Sequence, residues 1–279
     1  MCKALGVSRS GFYAWKNRKP STREQEAQIM IQHIRRIHQK SKKKYGSPRI
    51  YAQLRQEGIS CRLNRVARLM QKNNIFGERK KHKTRTTNSN HTYPVAPNLL
   101  KRDFYAEKPN QKWVSDITYI STQEGWLYLA AVMDLFSRRI IGWHMSSHIN
   151  TGLVEHSLQM ALNQREILPG LLHHSDRGVQ YASNQIRQLL QDYQITVSMS
   201  RTGNCYDNAV IESFFSTLKC EWIGFQVYPN RIQAKRDIFY FIEAFYNSQR
   251  LHSALGYLSP VVFEENFYQS LNSVSVLSG

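Results

Sequence analysis

The chain has 279 residues, 41% of them hydrophobic, which predicts two domains, or one domain with an appendage, and allows one sizeable core. It contains no apolar run long enough to span a bilayer and no signal-peptide pattern after Met1, so we expect a cytoplasmic protein without a membrane partner. Its four cysteines include no C-x-x-C pair, which argues against a disulfide framework or a zinc ribbon and predicts reduced thiols.

Nearly all of the net charge of +18 belongs to the first part of the chain. Residues 1–103 contain 25 Lys and Arg against 5 Asp and Glu, whereas residues 104–279 contain 13 against 15. A segment this basic, with little acid to neutralise it, is typical of a region that binds nucleic acid. A solvated basic tail is the alternative, and the helical periodicity of the segment argues against it.

Residues 1–20 predict part of a helix-turn-helix. The end of one helix is followed by a glycine turn at Gly6 and by a second helix capped by Ser8. Because Met1 falls inside the motif, we expect that another polypeptide supplies the front half or that this chain is a fragment. The side chains expected to face a DNA groove are Arg9, Tyr13 and Lys16.

Residues 21–76 predict a compact helical DNA-binding domain. The first of its helices covers 23–40, the second begins at Pro48 and ends near Gly58, and the third covers 63–72. The apolar face of the first helix is expected to consist mainly of Ile29, Ile31, Ile34 and Ile37.

The third of these helices carries basic residues at helical spacing, which fits a face laid against phosphates, with a solvated face as the alternative. These residues are Arg62, Arg65, Arg68 and Lys72. Residues 77–103 then break the periodicity with basic runs and two prolines, so they predict an extended basic linker and a domain boundary.

From residue 104 the pattern changes to that of an α/β domain, expected to extend to residue 265 and to be followed by a C-terminal tail over 266–279. Three strands, a helix, a strand, a helix, a strand and two helices follow one another, which is the element order of a ribonuclease-H-like core. The predicted strands are 113–120, 126–134, 139–146, 171–175 and 196–200, and the predicted helices are 151–164, 184–193, 205–222 and 233–249.

Three acidic residues occupy notable positions in this pattern. Asp116 interrupts the first strand, Asp176 follows the fourth, and Glu212 lies in the first turn of the helix after the fifth. Charged groups are unusual inside strands, although a glutamate in a first helical turn most often faces water. Since the first and fourth strands are neighbours in such a sheet, the two aspartates are expected to meet, with Glu212 laid over them.

Three converging carboxylates would repel one another unless cations lay between them. Hard oxygen ligands without adjacent His or Cys favour Mg²⁺ or Mn²⁺ over zinc. Two such ions can clamp a phosphodiester during in-line displacement, so no covalent nucleophile is required. The sequence accordingly offers no convincing Ser-His-Asp or Cys-His set.

The second part of the chain contains five segments that resemble the integrase-core signature of the insertion sequence 3 family of bacterial transposases. They are WVSDITYI (113–120), HSDRGVQY (174–181), SRTGNCYDNA (200–209), ESFF (212–215) and YNSQRLH (246–252). In the first part, YGSPRI (45–50) and RVARLM (65–70) resemble the DNA-binding segment of that family. The resemblance covers roughly residues 1–265.

This resemblance implies an integrase core and a DDE transposase that uses divalent metal to cut at element ends and to join the freed 3′ end to DNA. It implies that Asp116, Asp176 and Glu212 are the catalytic, metal-binding triad and that Lys219 contacts DNA phosphate. His174 and Arg177 would orient the second aspartate or hold backbone phosphate, with a purely structural role as the alternative. Gly203, Asp207 and Asn208 are expected to shape a loop and cap the helix.

The resemblance also bears on partners. The expected substrate is DNA, both the element ends and the target. A homo-oligomer is expected because two ends must be brought together. The protein would be bacterial and would be associated with the nucleoid when bound to DNA. The incomplete helix-turn-helix fits the family's habit of encoding the front of the enzyme in an upstream reading frame, whose product is a possible partner. The His/Cys zinc domain of retroviral integrases has no counterpart in the sequence, so no zinc is expected.

Two other functions remain open from the residues alone. A metal-dependent nuclease of the ribonuclease-H class would share the three acids and cut without joining. A non-catalytic DNA-binding regulator would need only the basic first part of the chain, but the presence of all three acids argues against it.

Overall fold

The computed structural model describes residues 2, 4–78, 93–201, 205–224 and 226–277 of the chain, with the side chains of Cys205 and of 274–277 left aside. Most of the predicted basic linker, and the predicted loop residue Gly203, lie outside these ranges. The chain divides into two compact units, residues 1–79 and 80–279. Within the described ranges, no helix combines the length and the apolar character needed to cross a membrane.

The first unit is helical. Its helices are α1 Arg9–Lys16, α2 Thr22–Lys40, α3 Ser47–Gln56 and α4 Leu63–Lys72. Ser8 caps α1 as predicted, because its Oγ accepts a hydrogen bond from the Gly11 N–H at 3.0 Å. Before this cap the described residues form turns rather than the predicted helix end, with Gly6 at a φ of 64°. A capping box between Ser21 and Glu24 opens α2.

The core of this unit corrects one detail of the predicted pattern. Ile29 is 57% exposed, and Met30 joins Ile31, Ile34 and Ile37 on the buried face of α2. The 100° turn between successive residues brings Met30, rather than Ile29, onto the same side as Ile34 and Ile37.

The second unit is built on a five-stranded sheet in the order β3-β2-β1-β4-β5. The neighbours β3, β2 and β1 are antiparallel, while β4 is parallel to both β1 and β5, so the predicted contact between the first and fourth strands is confirmed. The strands are β1 Lys112–Thr122, β2 Gly125–Asp134, β3 Ile140–Ser146, β4 Leu172–Ser175 and β5 Thr196–Met199.

Helices cover both faces of this sheet. Successive β1 residues Trp113 and Val114 belong to different apolar clusters, as the alternation of side chains along a strand requires. The cluster that contains Trp113 includes Val154, and the cluster that contains Val114 includes Phe214. The helices are α5 Thr151–Gln164, α6 Val179–Ala182, α7 Asn184–Asp192, α8 Ala209–Thr217, α9 Arg231–Tyr240 and α10 Pro260–Leu277. The α/β, ribonuclease-H-like architecture predicted from the sequence is confirmed.

Two predicted helices change type along their length. The predicted helix over 205–222 begins as a 3₁₀ turn over Cys205–Asn208, continues as α8, and ends as a π-helix over Leu218–Ile223. At the second change the Thr217 hydroxyl donates to the Ser213 carbonyl at 2.9 Å, which competes with the backbone for that acceptor. The predicted helix over 233–249 likewise passes from α9 into a π-helix over Phe241–Asn247.

The end of the chain and the end of the predicted linker also differ from expectation. Helix α10 runs across residue 266, where a tail is predicted, and Glu264 anchors it through Arg139 and Arg165 at 2.8 Å each. Upstream, the Leu99 and Leu100 N–H groups both donate to the Ser198 hydroxyl, at 2.9 and 3.2 Å. These last linker residues are therefore part of the second unit.

Gly142 in β3 is required by a close approach of α5. A Cβ at this position would lie 2.2 Å from the Ser157 carbonyl oxygen and 2.8 Å from the Ala161 nitrogen, both of them backbone atoms. We expect Gly142→Ala to destabilise the protein by about 3 kcal/mol or more, because strand and helix must separate. Thermal or urea unfolding measures this effect.

Gly152→Ala in α5 is the matched control, since the nearest atom to its added Cβ is a side-chain oxygen at 3.6 Å. Alanine favours a helix over glycine, so this variant should gain about 0.5–1 kcal/mol. Equal stabilities of the two variants would contradict the proposed packing of β3 against α5.

Candidate active site

Two of the three predicted acids lie at equivalent points of neighbouring parallel strands. Ser115 of β1 is the register partner of Ser175 of β4, and Asp116 and Asp176 are the next residues along each strand. Because parallel neighbours lie about 4.8 Å apart, the two aspartates emerge side by side at the end of β4. The sheet therefore brings together two residues that are far apart in the sequence.

The turn after β4 fixes the Asp176 side chain. Asp176 Oδ1 accepts a hydrogen bond from the Gly178 N–H at 2.9 Å, and a Cβ at Gly178 would lie 3.0 Å from that oxygen. A side chain at residue 178 would therefore crowd the carboxylate. Asp116 is held similarly, with Oδ1 accepting the Ile117 N–H at 2.8 Å.

Glu212 lies in the first turn of α8 and is exposed. The start of this helix is tied to β1, because the buried Asn208 donates from Nδ2 to the Ser115 carbonyl at 3.1 Å. That carbonyl directly precedes Asp116, so Asn208 links the positions of the first and third acids. The predicted side-chain cap at Asp207 or Asn208 is wrong, since neither side chain caps α8.

Asp207 instead joins three segments of the second unit. Its fully buried carboxylate forms ion pairs with Arg102 and Arg201 at 3.0 Å and accepts a hydrogen bond from Asn98 Nδ2 at 2.8 Å. Hydrogen bonds from Arg201 hold the pKa of Asp207 well below its usual range despite burial. Asp207 is therefore ionised and structural.

The three acids interact electrostatically. Burial first, and then the Asp176 and Glu212 carboxylates, raise the pKa of Asp116 well above its ordinary value. Partial loss of solvent around its carboxyl group, followed by the charge of Asp176, likewise raises the pKa of Glu212. Unfavourable ionisation of neighbouring carboxylates is the electrostatic signature of a site that a cation would stabilise.

The carboxylates do not by themselves form a finished metal site. Among the residues that the structure describes, no group of three His, Cys, Asp or Glu side chains is arranged so that it could hold an ion. The carboxylates nevertheless suit a divalent cation chemically, because they are hard oxygen donors and two of them are adjacent. A bound cation would relieve their mutual repulsion. No histidine or cysteine takes part in this electrostatic group.

Lys219 approaches the acids from the π-helix that follows α8. Its Nζ lies 4.5 Å from the centroid of the Tyr119 ring, and burial lowers its pKa while Asp116 opposes that shift. The resemblance implies that Lys219 contacts DNA phosphate, and Lys219 follows Glu212 by seven residues in the sequence. The structure places its ammonium within electrostatic reach of Asp116.

The prediction that His174 holds DNA phosphate is wrong for this structure. The ring is fully buried, and its two nitrogens contact the hydroxyls of Ser198 and Ser200 at 2.8 and 3.1 Å. Burial lowers its pKa to about 4, so the ring is neutral at pH 7. Its role is the structural alternative, joining β4 to β5. Nearby, the half-buried Arg177 donates from Nε to the Ser200 carbonyl at 2.5 Å.

Tyr181 is a residue near the site to which the sequence pattern gave no role. Its ring is buried in α6, and its hydroxyl has no hydrogen-bond partner within the described part of the chain. Burial, followed by the charges of Asp116 and Asp176, raises its pKa well above its ordinary value. An unexplained buried hydroxyl near two carboxylates is a signal that only the three-dimensional structure supplies.

The predicted DNA-binding residues of the first unit are accessible. Arg9, Tyr13 and Lys16 are all exposed on α1, which buries none of its side chains. Arg62 and Arg68 are exposed at α4, whereas Arg65 is half-buried and pairs with Glu26 at 3.3 Å. Arg62, Arg65 and Arg68 line one depression of about 370 Å³ with Leu63 and Asn64.

Comparison with known proteins identifies the family. The chain is 43% identical over 269 residues to the insertion element IS600 uncharacterized 31 kDa protein of Shigella sonnei, covering 96% of this chain and 99% of that protein. It is 41% identical over 266 residues to the transposase InsF for insertion sequence IS3A of Escherichia coli strain K12, covering 95% and 92%. The chain belongs to the insertion sequence 3 family of transposases.

Family models divide the transposase as the fold does. A model described as HTH-like domain matches residues 24–83, and two described as Integrase core domain match residues 106–205 and 177–260. The polypeptide is therefore a transposase of the polynucleotidyl transferase class, with an HTH-like domain followed by an integrase core.

Solved integrases are more distant from this transposase. The HTLV-2 integrase catalytic core domain in complex with magnesium, in its trimeric form, aligns with a TM-score of 0.45 and 14% identity, covering 57% of this chain and 99% of that chain. The family assignment rests on the insertion-sequence relatives.

Proposed function

We propose that this transposase cuts DNA at the ends of its element and joins the freed 3′ ends to target DNA, with Asp116, Asp176 and Glu212 as its catalytic, metal-binding residues. The observation that carries the proposal is the pairing of β1 with β4, which sets two aspartates side by side. Glu212, in α8, adds to the repulsion on the Asp116 carboxylate. The start of α8 is held against β1 by the hydrogen bond from Asn208.

We propose that these carboxylates bind divalent metal, Mg²⁺ or Mn²⁺, and most simply two ions. When bound by these carboxylates it would supply Lewis-acid stabilisation of the attacking and leaving oxygens of a phosphodiester. The chain's own residues position the reacting groups. Gly178 and Ile117 orient the aspartates through their N–H groups, while Asn208 sets the start of α8.

Lys219 provides positive charge beside the acids. Its partly buried ammonium lies against Tyr119 and within electrostatic reach of Asp116, so a phosphate bound at the acids would be close to a cation. A partly desolvated ammonium attracts phosphate more strongly than an exposed one, because less water must be displaced. We propose that Lys219 contacts the DNA backbone near the cut.

DNA binding is assigned mainly to the first unit, through Arg62 and Arg68 at α4 together with α1. Each lysine or arginine that neutralises one phosphate contributes about 1 to the slope of log binding constant against log salt. We therefore expect Arg68→Ala to weaken DNA binding on all sequences and to lower that slope by about 1. Fluorescence anisotropy at several salt concentrations measures both quantities.

Arg36→Ala is the matched control for Arg68→Ala. Its guanidinium is already paired with the Glu57 carboxylate, so its loss should change the slope less. An unchanged slope in Arg68→Ala, or an equal loss in Arg36→Ala, would remove α4 from the proposed DNA-binding surface.

The assembly is part of the same proposal. Joining two element ends requires at least two catalytic units, so we propose a homo-oligomer on DNA, acting at the bacterial nucleoid. We further propose that the product of an upstream reading frame of the same element is a partner of this transposase.

A cleavage-and-joining assay tests the proposed reaction. Labelled DNA that carries the sequences flanking the gene is incubated with the protein and Mg²⁺, alone and with the upstream product. Products in which the 3′ end is joined to target DNA are expected. Cleavage without joining would instead indicate the nuclease, and DNA binding without either product in both mixtures would indicate a regulator.

A further inference from the structure

A half-exposed tryptophan lies beside the proposed active site and has no part in the reaction described so far. Trp126 is the second residue of β2 and is 49% exposed, whereas Leu127 and Leu129 in the same strand are completely buried. A large aromatic ring kept at the surface loses the burial that would stabilise it. The exposed position of the Trp126 ring is therefore explained better by a function than by packing.

The ring of Trp126 is held in a defined orientation. It forms a T-shaped pair with the ring of Tyr119 in the neighbouring strand, with ring centroids 4.8 Å apart and planes at 82°. A T-shaped contact is a favourable arrangement of two aromatic rings, and it leaves Trp126 49% exposed. Trp126 is thus supported from one side and accessible from another.

Lys219 connects the aromatic pair with the acids. Lys219 Nζ lies over the Tyr119 ring at 4.5 Å and interacts with the Asp116 charge. Trp126 is the register partner of Ser121, five residues beyond Asp116 along β1. At about 3.3 Å per residue Asp116 and Ser121 are about 16 Å apart along β1, and their odd separation places their side chains on opposite faces of the strand. Lys219 lies between the two, because it interacts with the Asp116 charge and with the Tyr119 ring. The separation along β1 is about five steps of a DNA strand at 3.4 Å each.

Positive charge flanks the aromatic pair. Lys219 lies on the Tyr119 side, and the Arg231 guanidinium donates from Nε to the Trp126 carbonyl at 3.1 Å. A carboxylate also lies nearby, since Glu124 accepts the Arg231 backbone N–H at 2.9 Å. Aromatic rings interleaved with cations are the combination by which proteins bind unpaired nucleic-acid strands, the rings stacking on bases and the cations tracking phosphates.

We propose that Trp126, supported by Tyr119, is a stacking platform for an unpaired nucleobase within about five nucleotides of the scissile phosphate. This inference rests on the proposed DNA cleavage and joining, and it names a further contact of that site. The ligand is a base that has left the duplex, because a paired base offers its faces only to its neighbours in the stack. The platform would favour opened DNA ends over closed ones.

Photo-crosslinking tests this contact directly. Duplexes carrying the flanking sequences are made with 5-iododeoxyuridine at each of the five positions on either side of the cleavage point, with those pairs either matched or mismatched. After irradiation of the wild-type complex, peptide mapping should place the crosslink on Trp126, and more strongly in mismatched duplexes. Absence of a crosslink at Trp126 from every position, in a protein that joins the same DNA, overturns the platform and leaves the proposed reaction intact.

Affinity measurements provide the variant test. Wild type should bind mismatched ends about tenfold more tightly than matched ends, and Trp126→Leu should lose this preference while binding matched ends normally. Trp126→Phe should keep most of it, because phenylalanine still stacks. Phe239→Leu is the control, since Phe239 is 54% exposed but packs on Trp143 rather than Tyr119. An undiminished preference in Trp126→Leu contradicts the proposal.

The two hypotheses can fail separately. A wild-type protein that crosslinks through Trp126 but yields no joined product would overturn the proposed reaction and not the platform. Thermal unfolding of Trp126→Leu shows whether it is folded, and the wild-type crosslink decides the question if it is not.

Discussion

Asp116→Asn, Asp176→Asn and Glu212→Gln are each expected to lower DNA cleavage and joining by about 10³-fold or more. A metal ligand contributes several kcal/mol to the stabilisation of the transition state, and each 1.36 kcal/mol corresponds to about a factor of ten in rate. The amide replacements keep the shape of each side chain and remove its charge. Single-turnover assays with Mg²⁺ on labelled element ends measure the loss.

DNA affinity should be nearly unchanged in these three variants, because we assign most of the contacts with phosphate to the first unit, which is strongly basic. The matched control is Asp192→Asn, which replaces an exposed aspartate at the end of α7 and should retain full activity. Cleavage retained by any of the three variants, or lost equally by the control, would count against the assignment of the triad.

Stability gives a second measure that is independent of turnover. In wild type without metal, the ionised Asp116 is disfavoured by burial and by its acidic neighbours. Asp116→Asn removes this repulsion while its amide oxygen can still accept the Ile117 N–H, so its Tm without metal should rise. Added Mg²⁺ should raise the Tm of wild type through binding to the folded state, and this increase should disappear in the variant.

Arg250→Leu is expected to lower the free energy of unfolding by about 3–5 kcal/mol. Arg250 and Glu221 are both almost fully buried and form a two-point ion pair, with hydrogen bonds of 2.9 and 2.8 Å. Removing one partner leaves the other charge buried without its counter-ion. In a unit of this size the change corresponds to roughly 6–20 °C in Tm, measurable by calorimetry.

The double variant Glu221→Leu with Arg250→Leu should recover much of this loss, because neither buried charge is then left unpaired. Asp103→Asn is the control for an exposed pair. Its carboxylate lies 2.6 Å from Lys112 Nζ but is 66% exposed, so its loss should cost less than about 1 kcal/mol. A double variant as unstable as Arg250→Leu alone would contradict this account.

This ion pair also connects stability with the proposed active site. Glu221 belongs to the same π-helix as Lys219, and Arg250 comes from the segment after the next π-helix. Releasing the pair should therefore loosen the support of Lys219 as well as the apolar core. Arg250 lies in the segment 246–252, which resembles the transposase family, so this motif position has a structural role.

The sequence by itself determined the order and type of the main elements and the positions of the three acids along them. Asp116 inside a strand and Asp176 at the end of another were informative because strands seldom hold charges without a reason. The apolar periodicities predicted α5 with both of its ends. Such patterns are local, and a single segment is enough to show them.

Only the tertiary structure decided what each side chain touches. His174 is flanked by motif residues in the sequence, but it points into serine hydroxyls contributed by the strand and turn that follow. Asp207 occupies a position typical of a helix cap, but its carboxylate forms ion pairs with arginines from two other segments. The pairing of Trp126 with Tyr119 depends on strand register, and the electrostatic interaction of Asp116 with Asp176 and Glu212 depends on long-range packing. Contacts between residues far apart in the chain arise when the core packs, so no local pattern could have specified them.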